Sequence, residues 1–167
     1  MKRKAVIKNI DPQFLHKSVQ KTVGEVREMA SPTIFVSAAA LVNLQNEVLI
    51  STRPEGKAHA GKWEFPGGKV EASEHPEQAL SRELFEELRL DVSVKDMQPL
   101  TFATEVDAAS GKYMVLYLYL IKTWQGRVQA TEGQKVAWIP LSRLSEYISM
   151  MPPMDKPLAK TLIALQK

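Results

Sequence analysis

Apolar and polar positions fall into two rhythms along this chain, and each rhythm predicts a different element. From Thr33 to Val42 apolar residues run almost without a break, as in a strand buried on both faces. Turn formers from Asn43 to Asn46 end that run, and Glu47-Val48-Leu49-Ile50-Ser51-Thr52 follows as its partner strand. Lys112 to Thr123 sets Tyr113, Val115, Tyr117 and Tyr119 two apart and predicts a long central strand. Val136 to Ile139 predicts a short one, and Asp91-Val92-Ser93-Val94 alternates as a strand would. Elsewhere the period lengthens. Ala79, Leu80, Leu84 and Leu88 recur at helical spacing behind Pro76, which suits a first helical position, and predict a helix ending near Leu90. His75 is a weaker cap for it than Ser or Thr. Leu141 to Ile148 and Leu158 to Leu165, the latter behind Pro157, predict two more helices. Strands mixed with two or three helices argue for an α/β fold, a sandwich with helices on both faces of a mixed sheet.

Ser31-Pro32 breaks the chain ahead of these elements, and Arg53 to Lys62 is a polar loop. The chain of 167 residues suits one folded domain with a full core. The expected division is a basic N-terminal arm over 1–31 and a domain over 32–167. Charge sharpens that division: the net +3 is concentrated in residues 1 to 30, where seven Lys or Arg face three Asp or Glu. Phe14, Leu15, Val19 and Val23 give the arm a weak helical stripe, and it reads as a peripheral segment, with no stable nucleic-acid complex expected. The absence of cysteine excludes disulfides and thiolate chemistry. No apolar run approaches a membrane span. Met1-Lys2-Arg3-Lys4 is followed too soon by Lys8 to open a signal segment. A cytoplasmic protein without a membrane partner, and a monomer, is the expectation.

The chemistry concentrates between residues 63 and 87. Gly68 is followed after five residues by Glu74, and after seven more by Arg82-Glu83-Leu84-Phe85-Glu86-Glu87. On a helix, Glu83, Glu86 and Glu87 share one face and repel one another. A hard divalent cation is the natural counter-charge, since Mg²⁺ takes oxygen ligands and shares them with phosphates. Upstream, Trp63-Glu64-Phe65-Pro66-Gly67-Gly68-Lys69 offers a Gly-Gly pair able to approach a ligand closely and a Lys able to meet phosphate as a point charge. No phosphate-cradling Gly-x-x-x-x-Gly-Lys-Ser/Thr string is present.

This spacing resembles the Nudix box, Gly-x5-Glu-x7-Arg-Glu-U-x-Glu-Glu-x-Gly-U with U a bulky aliphatic residue. One fixed position departs: Arg89 stands where the box has its last Gly. That place serves a left-handed turn, so Arg89 is expected to cost about 1 kcal/mol in backbone strain. Arg53-Pro54, Trp124, Glu132-Gly133-Gln134 and Pro152-Pro153 extend the resemblance, which is strongest to the MutT-type branch of 8-oxo-dGTP diphosphatases and covers about residues 33 to 165.

The resemblance implies a Nudix-type α/β/α sandwich and hydrolysis of a nucleoside triphosphate to monophosphate and pyrophosphate. In nucleotide-pool sanitation the substrate would be 8-oxo-dGTP or dGTP. It implies Mg²⁺, with Mn²⁺ as a substitute, held by the Gly67 carbonyl and by Glu83, Glu86, Glu87 and Glu132. Glu74 and Arg82 become supports. Glu83, then Glu132, are the candidates to take the proton of the attacking water. Arg53 and Lys69 are expected at phosphate, Phe65 or Met114 beside the base, and Asp155 at the base edge. Asp155 replaces the Asn of the branch, and an ionised carboxylate only accepts hydrogen bonds where an amide also donates. Neither His59 nor Ala58 supplies an imidazole where the branch carries one. Two other readings stay open: cleavage of CTP, ADP-ribose or a dinucleoside polyphosphate, and a module that binds nucleotide without cleaving it.

Overall fold

The computed structural model describes residues 33–106 and 110–165. The basic arm over 1–31, with its apolar stripe, lies outside the described residues. Two sheets build the fold. The larger is mixed and four-stranded, ordered β4-β1-β6-β5 from Gly67–Lys69, Ile34–Leu41, Tyr113–Ile121 and Met97–Val106. The smaller is antiparallel and three-stranded, ordered β3-β2-β7 from Trp63–Glu64, Glu47–Thr52 and Val136–Pro140. β1 and β6 run parallel, with Ile34 opposite Met114 and Leu41 opposite Ile121.

The period-two alternation of β1 and β6 sorts their side chains between two cores. On one face Ala39, Leu41, Tyr119 and Ile121 meet Leu80, Leu84 and Leu88 of helix α1, Pro76–Leu88. On the other, Ala38, Ala40, Leu116 and Leu118 pack with Phe65, Ile50, Ile139 and, from helix α2 (Asp155–Ala164), Leu158 and Leu162. Helices therefore cover both faces of the mixed sheet, as the alternation of elements implied. Among the described residues no helix is long and apolar enough to cross a membrane.

Three local expectations need correction. Leu141 to Ile148 is not an α-helix but two 3₁₀ segments, Leu141–Glu146 and Ile148–Met150. Its buried leucines, Leu141 and Leu144, stand three apart, which matches the tighter turn, and Pro152-Pro153 block extension. Asp91 to Val94 is not a strand: Asp91 makes an isolated bridge to Gln125, and Val94 opens a short 3₁₀ turn. The strand beyond it, β5, carried no clear signal, because an edge strand with Pro99 and a bulge at Pro99/Thr101 alternates poorly. α2 starts at Asp155, with Pro157 inside its first turn, where backbone N–H groups lack intrahelical partners.

The start of α1 is rescued by Gln78, whose side chain accepts the His75 N–H at 3.1 Å. At its end Arg89 adopts the left-handed conformation, φ 56°, as the missing Gly required, and its guanidinium lies 5.3 Å from the centre of the Phe85 ring.

Candidate active site

The string Trp63–Lys69 steps from the small sheet to the large one, with β3 and β4 separated by Phe65 and Pro66. Its two glycines allow two different contacts. A Cβ on Gly67, which has φ 147°, would lie 2.1 Å from the Ser37 carbonyl oxygen. A Cβ on Gly68 would lie 2.2 Å from the Glu83 carboxyl carbon. The Gly-Gly pair thus lets β4 approach both β1 and the carboxylate of α1.

Arg82 fixes that carboxylate. Its guanidinium grips Glu74 with two bonds of 3.1 and 3.0 Å, and it donates to Glu83 at 2.7 Å, to Glu86 at 3.2 Å and to the Lys69 carbonyl at 3.1 Å. This fork ties β4, the 71–74 turn and α1 together. The hydrogen bond from Arg82 holds the Glu74 carboxyl below the usual carboxylate range, and the same partners push Arg82 up. Glu74 and Arg82, expected as supports, are thus bonded to each other, and Arg82 also to the Lys69 carbonyl.

Glu87 points differently. One of its oxygens accepts the Gly67 N–H at 3.3 Å. Its carboxyl is pushed up to about 7, first by burial and then by the charges of Glu132, Glu83 and Glu64, against a smaller opposing effect of Lys57. Glu132 reaches this neighbourhood from the segment between β6 and β7, and Lys57 Nζ lies 3.4 Å from it. Glu86 is exposed.

Of the expected substrate contacts, Arg53 is half-buried and engaged within the protein. It pairs with Glu64 and donates to the Ala58 carbonyl at 2.6 Å. Lys69 is exposed, and the Phe65 ring is only 3% exposed, inside the core between the sheets. Asp155 is 4% exposed and accepts the Phe65 N–H at 3.0 Å; burial, first, and the Glu64 charge push its carboxyl up to about 7, against that hydrogen bond.

Sequence reading missed Glu64, Lys57, Thr131 and Gln134. Glu64 sits in the conspicuous Trp63–Lys69 string, and its polar identity between two large apolar residues was a usable signal. Burial raises its carboxyl in spite of Arg53. Lys57 lies in a polar loop and carried no signal.

Among the described residues, no three acidic or imidazole side chains converge into a ready-made metal cage. The donor set nonetheless fits a hard divalent cation. It consists of carboxylates beside a strand turn, one of them raised first by burial and then by the charges of its neighbours, a penalty that a divalent charge relieves.

The family model for the NUDIX domain matches residues 33–164. The chain belongs to the Nudix family. The CTP pyrophosphohydrolase of Escherichia coli (strain K12) is 34% identical over 128 residues, covering 77% of this chain and 90% of that protein. The 8-oxo-dGTP diphosphatase of the same organism is 32% identical over 127 residues, 76% and 94% of the two chains. A solved MutT structure, from a study of Aliivibrio salmonicida and Vibrio cholerae, superposes with a TM-score of 0.67 at 32% identity, covering 80% of this chain and 99% of that one. The protein is therefore a MutT-like Nudix hydrolase, of a family that acts on nucleotides with a divalent metal.

Proposed function

We propose that this Nudix hydrolase is a Mg²⁺-dependent nucleoside triphosphate diphosphatase, releasing monophosphate and pyrophosphate from 8-oxo-dGTP and dGTP in the cytoplasm. The observation that carries the reading is the raised Glu87 carboxyl among Glu83, Glu132 and Glu64, beside Gly67. The Gly67 carbonyl, Glu83, Glu86, Glu87 and Glu132 would hold Mg²⁺ or Mn²⁺. The bound cation would supply neutralisation of the polyphosphate oxygens as water cleaves the linkage between the first and second phosphates. Arg82 keeps Glu83 against Gly68. Glu132, which among the described residues pairs with Lys57 rather than an arginine and is half-exposed, is the better placed of the two candidates to take the water's proton. Lys57 and Lys69 stand where a polyphosphate would meet point charges, and Arg53 holds Glu64 and orders the loop beside them.

Asp155 supports guanine recognition. A carboxyl titrating near 7 is both donor and acceptor in its neutral form, as the Asn of the branch is, and accepts from the two adjacent donors of guanine when ionised. A second reading, cleavage of CTP, is favoured by the same residue, because neutral Asp155 also fits the adjacent donor and acceptor of cytosine. Pyrophosphate release from 8-oxo-dGTP, dGTP and CTP in direct competition, with Mg²⁺ present, is the test. Guanine nucleotides are expected to lead in kcat/KM, a lead for CTP selects the second reading, and no release from any of them overturns both.

A further inference from the structure

α1 ends at Leu88, and a helix end leaves its last carbonyls without intrahelical donors. The segment 129–134, which carries Glu132, supplies them. The Gln129 N–H donates to the Leu88 carbonyl at 2.9 Å and the Thr131 N–H to the Glu87 carbonyl at 3.1 Å. The Thr131 hydroxyl lies within hydrogen-bond distance of both the Glu86 and the Glu87 carbonyls. The buried amide of Gln134 then donates through Nε2 to the Glu87 carbonyl at 2.9 Å, and its other end accepts the Glu132 N–H at 2.8 Å.

Three donor groups therefore crowd one carbonyl, the Glu87 oxygen, which has only two lone pairs. Capping the helix does not need Gln134. What this amide adds is a direct side-chain link, through its two ends, from the Glu87 carbonyl to the backbone N–H of Glu132.

We propose that Gln134, assisted by Thr131, is a positioning residue that sets the distance between the Glu87 and Glu132 carboxylates and so their joint grip on a divalent cation. It acts through Glu132 and rests on the reading of Glu132 as a metal ligand given above. An outer partner that orients a ligand commonly contributes about ten- to a hundredfold in affinity or activity.

The test is a double-mutant cycle on the full chain, with Gln134→Met, Glu132→Gln and the pair. It reads kcat, KM and the affinity for Mn²⁺ alone by calorimetry. Gln134→Met is expected to lower kcat and Mn²⁺ affinity about tenfold or more with KM nearly unchanged, and to add less than about twofold on top of Glu132→Gln. Equal losses in both backgrounds mark a merely structural amide and overturn the tie, as does wild-type behaviour of Gln134→Met. Wild-type turnover and Mn²⁺ affinity in Glu132→Gln alone overturn the ligand reading itself. Should Gln134→Met fail to fold by circular dichroism, Thr131→Val replaces it in the cycle and is held to the same non-additivity, with Thr131→Ser expected to restore function.

Discussion

Two carboxyls, the half-buried Glu87 and the buried Asp155, are held away from their ordinary ionisation, each mainly by desolvation, and each gives the molecule a pH signature. For an acid whose folded value is raised, the unfolded chain loses its proton first. Stability therefore falls as pH climbs from the ordinary carboxylate range to the folded value, here about 7 for both, and the penalty stays in full above it. Asp155→Asn keeps an acceptor for the Phe65 N–H and removes the charge. It is expected to raise stability at pH 8 by on the order of a few kcal/mol and to flatten the fall between pH 4 and 7, read by denaturant unfolding. The same variant tests base choice. Ionised Asp155 only accepts, which suits guanine and not cytosine, so the kcat/KM ratio of dGTP over CTP is expected to rise from pH 6 to pH 8 in the parent and to stay level in Asp155→Asn. A rise that persists in the variant would assign the pH dependence elsewhere. Glu87→Gln makes the complementary case: a higher Tm in EDTA at pH 8, with the Mg²⁺-induced rise in Tm largely lost. A variant that is less stable in EDTA would show that Glu87 is held by compensating contacts rather than strained by its neighbours.

The elements were legible where their apolar period was strong and obscure where packing alone fixed them. β1, β2 and α1 announce themselves, because each buries a long regular face. β3 and β4 together span too few residues to show a period, yet they place the Gly-Gly pair on β1 and under α1. The acidic motif was legible as a string of types and spacings, but its distant partners were not: Lys57 and Gln134 join the site through contacts between residues far apart in the chain. The close approach of β4 makes an element-scale test. Gly67→Ala drives a methyl into the Ser37 carbonyl from a left-handed backbone and is expected to break the β1–β4 pairing, at a cost of about 2 kcal/mol or more. Gly68→Ala meets only the far end of the Glu83 side chain. The fold is expected to survive that change with a small loss in Tm. Displacing Glu83 should lower kcat by about a hundredfold. Thermal melts beside kinetics separate the two, and a Gly68→Ala protein with normal kcat would show that Glu83 need not sit against the strand.

At the scale of the molecule, the site gathers acids from parts that belong to different sheets. Glu83, Glu86 and Glu87 ride on α1, which packs on the four-stranded sheet, whereas Glu64 lies in β3 of the three-stranded one and Glu132 in the connection from β6 to β7. In the metal-free protein their repulsion, which adds to burial in raising Glu87, works against the contacts that join these parts. Under the proposed reading, a cation held by Glu87 and Glu132 would reverse that sign and act as a cross-link. Binding to the folded state alone then adds RT ln(1 + [L]/Kd), about 2.7 kcal/mol at a hundredfold excess over Kd. Protons compete for the same oxygens, so the Mg²⁺-induced rise in Tm is expected to be larger at pH 8, above the folded value of Glu87, than at pH 6. Hydrogen exchange locates the gain. Mg²⁺ should slow the amides of Gly67, Glu132 and Thr131, which lie where the parts meet, far more than those at the centre of β6. Uniform slowing along the chain, or a Tm shift independent of pH, would mean that the ion binds outside this junction.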